Sequence, residues 1–561
     1  MATFYLLRGF GLILLGLMVY AQTFHFGFVF DDYIFIVNNS LIKNLNNIHL
    51  IWQSFPMTRL IGMYSFAFNY ALSQLNASSY HIFNFIVHIC SAVLVWAISQ
   101  LLFKLAKIFP DKDARSRELP FLIALLFVVH PGQTQAITYI TQRFESLATM
   151  FYLATVYFYL QARIAVAKRW QLRYFGLVGV FTILGILTKE VVITLPVMLG
   201  AIEWIFFPGK NKKRFWIALS IVMILLYVLF TKLVHGNLSM LFGPYTSASH
   251  DGETFNLWGY LLTEMRVFLT FLRLLILPLR QALDYDYPAS TDLFHPPLTC
   301  LGVLVMGCFV ALIVRLRTKQ PIIAFGLSWI LITFSINMAP RINVIFEHKL
   351  YLISFGFFLV LVTILSLLIK NPSTLFKILY SIVIVLAVVA FERNRVWASE
   401  LTLWQENVKA FPNKARVNAN LGRAYSAAGN QAQAIYYLSR AIDLKPDNIS
   451  YENRGIIYGN IGQENLALQD LNHAIAMEPG YSTTYIKRGW IFQKLNQYPA
   501  AIDDLNHAIS LDPYSSDAYI QRGMCWMVQN QRQKALDDFQ HALQIDPLNS
   551  QAQALIQQIS R

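Results

Sequence analysis

The stretch RGIIYGNIGQENLALQDLNHAIAMEP, residues 454–479, decides the fold of the C-terminal part, because its pattern occurs four times in succession. Gly422, Gly455, Gly489 and Gly523 recur every 33 or 34 residues. Twelve residues after each stands Ala434, Ala467, Ala501 or Ala535, and sixteen after stands Leu438, Leu471, Leu505 or Phe539. Nineteen after come Ala441, Ala474, Ala508 and Ala542, and Pro446, Pro479, Pro513 and Pro547 close each unit. A period of this length means stacked pairs of secondary-structure elements. Small residues let two helices approach closely, the large apolar residue fills their contact, and proline stands where no helix continues. Arg454, Arg488 and Arg522 each precede an aspartate, Asp470, Asp504 or Asp538, by sixteen residues. The first unit has Leu421 and Tyr437 instead, losing both charges together. That joint loss predicts an Arg–Asp contact between the helices of a unit; arginines kept for a ligand are the other reading.

At each of these positions the array resembles tetratricopeptide repeats. Residues 413–561 then read as four repeats with a capping helix at 550–559. Residues 393–412 form a junction, with 397–412 a leading half-repeat.

Upstream, composition changes. The whole chain has 561 residues, 56% of them hydrophobic and 14% charged, which excludes an ordinary soluble domain. From Asn413 onward 13 basic and 13 acidic residues cancel, so the net charge of +14 belongs entirely to the preceding part. There it clusters in short connectors between apolar runs, as the positive-inside rule expects, and needs no nucleic-acid partner. Cys90, Cys300 and Cys308 fall in apolar runs and Cys525 stands alone, so no disulfide framework is indicated.

Residues 4–24 read as an uncleaved first span, with Arg8 holding the N-terminus inside and releasing Asp31 outside. Further spans are expected at 80–103, 119–130, 144–160, 174–187, 191–207, 215–233, 298–314, 321–338, 350–369 and 374–390. Outer loops run over about 25–79 and 235–297. The first carries an interfacial helix at 60–75 and the second a re-entrant or interfacial helix at 257–279. About eleven crossings place the repeats on the side of Asp31; one span more or fewer would move them to the cytoplasm.

Asp31 and Asp32, directly after the first span, are the leading candidates for chemistry. Adjacent carboxylates repel, so ionising one raises the other's pKa and separates their roles as base and orienting group. A hydrogen-bonded acidic pair in a loop is the plain alternative. His81, Asn84 and His88 share a helix face. The two histidines lie about 10.5 Å apart along the axis at 1.5 Å per residue, too far for one metal ion. His88 is expected to bond a neighbouring helix, and His81, at the outer mouth, is the functional candidate. Arg143 with Glu145, Lys189 with Glu190, and Glu347-His348-Lys349 are charged groups at outer span ends. Cations there suit a phosphate at headgroup level, with snorkelling or mutual pairing as the plain alternative.

Five motifs now stand in order: Phe28-Val29-Phe30-Asp31-Asp32 with Asn38-Asn39; Tyr80-His81-Ile82-Phe83-Asn84; His130-Pro131-Gly132 through Arg143; Thr188-Lys189-Glu190; and Glu347-His348-Lys349-Leu350-Tyr351. With Arg393-Asn394-Arg395-Val396-Trp397 leading into the repeats, the chain resembles bacterial relatives of the transmembrane and tetratricopeptide-repeat-containing mannosyltransferases, within the GT-C glycosyltransferase superfamily. The resemblance implies a polytopic helical membrane domain at 1–392. It implies a sugar moved from a polyprenyl-phosphate donor to a hydroxyl, foremost of protein serine or threonine, with the repeats recruiting the acceptor. It also implies the bacterial inner membrane, with site and repeats on the periplasmic face. The base maps to Asp31 or Asp32; Arg143, Lys189, Glu190, Glu347, His348, Lys349, His81 and Arg59 are candidates for donor phosphate and substrate. Lys349 stands where arginine is expected, turning a forked contact into a point charge, and Leu60 follows Arg59 where relatives often have proline. No metal-ligand set is visible, so no cofactor is expected, with a divalent cation on the aspartates as the alternative. A membrane-tethered repeat scaffold and a lipid-linked sugar transporter are the rival functions, and a cell-envelope glycan or lipid the rival acceptor.

Overall fold

The computed structural model describes residues 2–110, 112–209, 247–248, 254–255, 257–339, 344–547 and 549–560. The chain divides into two compact units, Met1–Leu403 and Trp404–Arg561. Apart from a two-residue antiparallel ladder, Ser247–Ala248 with Thr254–Phe255, the described residues form helices and their connections.

In the first unit α1 is Ala2–Tyr20, α2 Ile48–Ser54, α3 Leu60–Ser73, α4 Ala77–Ala106, α5 Ala114–Val129, α6 Thr134–Thr138, α7 Arg143–Ile164, α8 Lys168–Ile186 and α9 Leu195–Phe206. There follow α10 Leu257–Ile276, α11 Leu298–Leu316, α12 Pro321–Phe334, α13 Leu350–Leu368 and α14 Pro372–Asn394. Helix α5 is the centre of the bundle, buried at every residue from Leu119 to Val129 and packed by α1, α4, α13 and α14. It begins earlier than hydropathy suggests because the Asp113 side chain caps it, accepting the Arg115 amide at 2.8 Å. It breaks where His130 precedes Pro131, since proline forces its predecessor out of helical geometry, and α6 resumes bent by 55°. Helices α12 and α13 meet backbone to backbone: a Cβ on Gly356 would lie 2.6 Å from the Gly326 carbonyl oxygen. Trp329 closes that seam, its indole N–H donating to the Leu352 carbonyl at 2.8 Å.

The helix expected at 60–75 is observed as α3, Leu60–Ser73. Among the described residues six helices are long and apolar enough to cross a membrane, or seven counting the bent α5–α6 pair as one. Helix α7 carries threonines, tyrosines and a glutamine along its length, α8 opens with Lys168, Arg169 and Arg173, and α9 has only 12 residues; none of the three is among the six. The expected span at 215–233 lies outside the described residues.

The second unit repeats one helix pair four times: α16 Ala415–Ala427 with α17 Gln431–Leu444, α18 Asn448–Asn460 with α19 Glu464–Met477, α20 Ser482–Lys494 with α21 Tyr498–Leu511, and α22 Ser516–Val528 with α23 Arg532–Ile545. Helix α15, Glu400–Ala410, precedes them and α24, Ser550–Ser560, follows. The glycines act as their spacing requires. A Cβ on Gly455 would stand 3.2 Å from the Ala467 carbonyl and 3.1 Å from Leu471. The Arg–Asp pairs form as expected and are two-pronged: Arg488 donates from Nε and Nη2 to Asp504 at 2.8 and 2.7 Å. Arg454 with Asp470 and Arg522 with Asp538 repeat this geometry. Each arginine also reaches the second helix of the preceding repeat, at Ser439, Asn472 or Asn506, and so fixes neighbouring repeats in register. In the first repeat Tyr437 stacks on Tyr425 instead.

Candidate functional site

The site is organised by seven residues between α6 and the start of α7, Tyr139-Ile140-Thr141-Gln142-Arg143-Phe144-Glu145, whose alternate polar side chains each hold a different element. Tyr139 holds Asp31: its hydroxyl accepts the Asp31 backbone N–H at 3.1 Å and is bonded to the Asp31 side chain. Burial, then the Asp31 and Asp32 charges, hold that phenol well above its usual pKa, so it stays protonated and can donate. Thr141 holds Asp32, whose Oδ1 accepts the Thr141 N–H at 2.8 Å and the Thr141 hydroxyl. Arg143 joins α3 to α4, and Glu145 pairs with Lys189 at 2.9 Å.

The two aspartates therefore sit in different surroundings. Asp32 is fully buried, with Oδ2 accepting the Val29 N–H at 3.1 Å, and its carboxyl is an internal staple of the loop. Burial pushes its pKa up to about 7 despite the hydrogen bonds from Thr141 and Val29. Asp31 is half-buried. The backbone just before them is strained, for Phe30 has φ 51°, a conformation an aromatic L-residue rarely adopts.

A second feature is a pocket lined by Glu145, Lys189, Glu190, Val191, Thr333, Ile336, Lys349 and Leu352. It gathers three of the expected residues, Lys189, Glu190 and Lys349. Lys189 is buried, which lowers its pKa, and Arg59 lowers it further while Glu145 and Glu190 offset part of the effect. Arg59 thus lies near Lys189, its guanidinium 4.8 Å from the Phe144 ring centroid.

Other candidates are used differently from their sequence reading. Arg143 is fully buried, donating to Asn84 and Asn69 at 2.6 Å and to the Tyr80 carbonyl at 3.0 Å, with Phe83 against its face. It is a clamp between helices; no part of it lines the pocket. Glu347 accepts from Gln281, the Ala282 N–H and the Tyr285 hydroxyl, and fastens the second loop to the start of α13. His348 stacks on Phe346 and donates its backbone N–H to Gln135 at 2.6 Å. His81 is buried against Phe26 and outside the pocket lining. His88 bonds neighbouring helices as expected: Nε2 donates to the Val128 carbonyl at 3.2 Å and Nδ1 accepts the Tyr351 hydroxyl at 2.7 Å. Among the described residues no three His, Cys, Asp or Glu side chains converge as a metal-ligand set.

Tetratricopeptide repeat family models match residues 415–448, 482–515 and 516–549. The C-terminal unit is a tetratricopeptide-repeat array. Over most of its length the chain is also similar to proteins named protein O-mannosyl-transferase. One from Caenorhabditis elegans is 25% identical, aligned over 79% of this chain and 63% of its own. TMTC3 of Mus musculus is 25% identical over 78% of this chain and 51% of its own, and TMTC4 of Homo sapiens 24% over 75% and 64%. The chain thus spans about half to two-thirds of the length of the curated relatives it matches. Among solved structures, the crystal structure of MamA is 25% identical over 26% of this chain and 86% of its own, with a TM-score of 0.25. YrrB, titled a TPR protein with an unusual peptide-binding site, is 17% identical over 35% and 97%, also with a TM-score of 0.25.

Tyr139, Thr141 and Trp397 stand in motifs visible in the sequence but, like Glu400, carried no functional role there. Tyr139 stacks on Trp397 with ring centroids 5.2 Å apart, and Glu400 accepts the Phe30 N–H at 3.1 Å. The available signal was the alternation of polar side chains at 139, 141, 143 and 145, which has no role in an apolar span.

Proposed function

We propose that the chain is a membrane glycosyltransferase that moves a sugar from a polyprenyl-phosphate donor to a hydroxyl acceptor, foremost serine or threonine of a protein, on the non-cytoplasmic face of a bacterial inner membrane. The observation carrying this reading is that the acidic loop and the lysine pocket are both tied to residues 139–145, through Tyr139 and Thr141 at one end and Glu145 at the other. Similarity to proteins named as protein O-mannosyl-transferases supports it and makes mannose the first sugar to try.

In the reaction the Asp31 carboxylate takes the proton of the acceptor hydroxyl, whose oxygen forms a bond to the anomeric carbon. The bond from that carbon to the lipid-phosphate oxygen breaks, and the electron pair leaves on the phosphate. Lys189 and Lys349 offset the charge developing there, and the single displacement inverts the anomeric centre. Asp32 holds the loop, Tyr139 orients Asp31, and the repeats recruit the acceptor polypeptide. No divalent ion is required on this reading, so chelators leave the rate unchanged.

The test supplies the purified full-length protein with labelled polyprenyl-phosphate mannose, with and without a serine- and threonine-rich peptide. Label transferred to peptide only when peptide is present supports transfer. Donor left intact, or consumed equally without acceptor, contradicts it.

A further inference from the structure

From the last residue of α14 onward, the chain reaches back to the acidic loop and to the elements that hold it more often than a tether to the repeats requires. Asn394 donates to the Val19 carbonyl at 3.0 Å and accepts the Thr138 hydroxyl at 2.6 Å. Trp397 stacks on Tyr139, the residue that holds Asp31. Glu400, half-buried at the start of α15, accepts the backbone N–H of Phe30 at 3.1 Å. Phe30 is the residue with positive φ, immediately before Asp31. Backbone strain of this kind persists only where surrounding structure over-determines it, and it collects at functional sites. A carboxylate on the strained residue's N–H is a charge-assisted contact, stronger than a neutral one.

We propose that Glu400 is a positioning residue for the transfer reaction: by holding Phe30 in its left-handed conformation it aims the Asp31 carboxylate, with Trp397 bracing Tyr139 by ring stacking. This rests on the reading of Asp31 as the general base. Glu400 touches no reacting atom and acts through the backbone. Released, Phe30 relaxes to negative φ, and the peptide that carries Asp31 turns with it. Glutamine keeps an acceptor oxygen of the same reach, whereas alanine removes it. Glycine at position 30 adopts positive φ without the Cβ clash and needs the clamp less.

Full-length Glu400→Ala, Glu400→Gln and Glu400→Ala/Phe30→Gly proteins are compared by steady-state transfer and by backbone amide exchange over residues 28–32. Glu400→Ala lowers kcat by roughly 10- to 100-fold with donor KM unchanged, the scale of a misaimed catalytic group. Glu400→Gln restores most of the rate, and Phe30→Gly recovers part of it in the alanine background. Amide exchange over 28–32 accelerates in Glu400→Ala and not in Glu400→Gln. A Glu400→Ala protein with wild-type kcat, or a Glu400→Gln protein as slow as the alanine variant, overturns the proposal. Asp31→Asn is assayed in parallel. If it turns over normally, the base assignment falls, and exchange alone decides whether Glu400 clamps the loop: acceleration in the alanine variant supports the clamp and its absence overturns it.

Discussion

Replacing Asp32 by Asn should change stability by an amount that depends on pH. The Asp32 carboxyl is fully buried and titrates at about 7, burial outweighing the hydrogen bonds from Thr141 and Val29. In an unfolded chain an aspartate titrates near 3.9. Between those values the folded protein keeps a proton that the unfolded chain has released. Stability from this group is therefore fully present below about pH 4, is lost as pH rises, and levels off above about 7. From pH 5 to pH 7 the loss is two pH units at about 1.36 kcal/mol each, on the order of 3 kcal/mol. Asn does not titrate and escapes this loss. Its amide Nδ2, however, faces the Val29 N–H that Asp32 Oδ2 now accepts at 3.1 Å. That unmet donor costs about 1–3 kcal/mol at any pH. The variant-minus-wild-type difference should thus move in the variant's favour by on the order of 3 kcal/mol between pH 5 and pH 8. Chemical denaturation of both detergent-solubilised proteins at the two pH values, followed by tryptophan fluorescence, cancels the other titrating groups. An identical difference at both pH values would refute the placement of an Asp32 proton in this range.

Three further outcomes are expected. Arg488→Met leaves Asp504, whose side chain is 9% exposed, without its partner and should destabilise the repeats by about 3–5 kcal/mol. Adding Asp504→Leu should return most of that loss in denaturant unfolding, and an unrescued double variant would reject the staple. Gly356→Ala places a Cβ 2.6 Å from the Gly326 carbonyl and should cost about 1–3 kcal/mol in thermal unfolding; no loss would show that α12 and α13 separate freely. Lys349→Gln removes a charge from the pocket and should raise donor KM on the order of tenfold, the scale of one charged hydrogen bond, while an unchanged KM removes Lys349 from the donor site.

The repeat array was legible because each of its contacts is local and recurs. A glycine against an alanine carbonyl and an arginine forked onto an aspartate repeat at fixed spacing, so their partners can be read from the period alone. Helix α3 was legible from its polar surroundings. The acidic pair was visible as an oddity, but its division of labour was not, because Thr141 lies 109 residues from Asp32 and Glu400 lies 370 from Phe30. Arg143 shows the same limit. Its charge at a span end suggested a phosphate, whereas its partners on α3 and α4 come together only in the folded bundle. Glu347 is likewise taken up by Gln281, Ala282 and Tyr285 across a long loop. Hydropathy misplaced the start of α5 because Arg115 and Glu118 lie within its first turns, Arg115 bonded to Asp113 and Glu118 paired with Arg8 of α1.

On the proposed mechanism Asp31 acts on substrate and Asp32 on the loop. Single-turnover transfer from a labelled polyprenyl-phosphate sugar, measured for Asp31→Asn and Asp32→Asn side by side, tests it most directly. Asp31→Asn should lower the transfer rate about 10²- to 10⁴-fold while Asp32→Asn keeps most of it. Wild-type turnover by Asp31→Asn, or loss confined to Asp32→Asn, would contradict it.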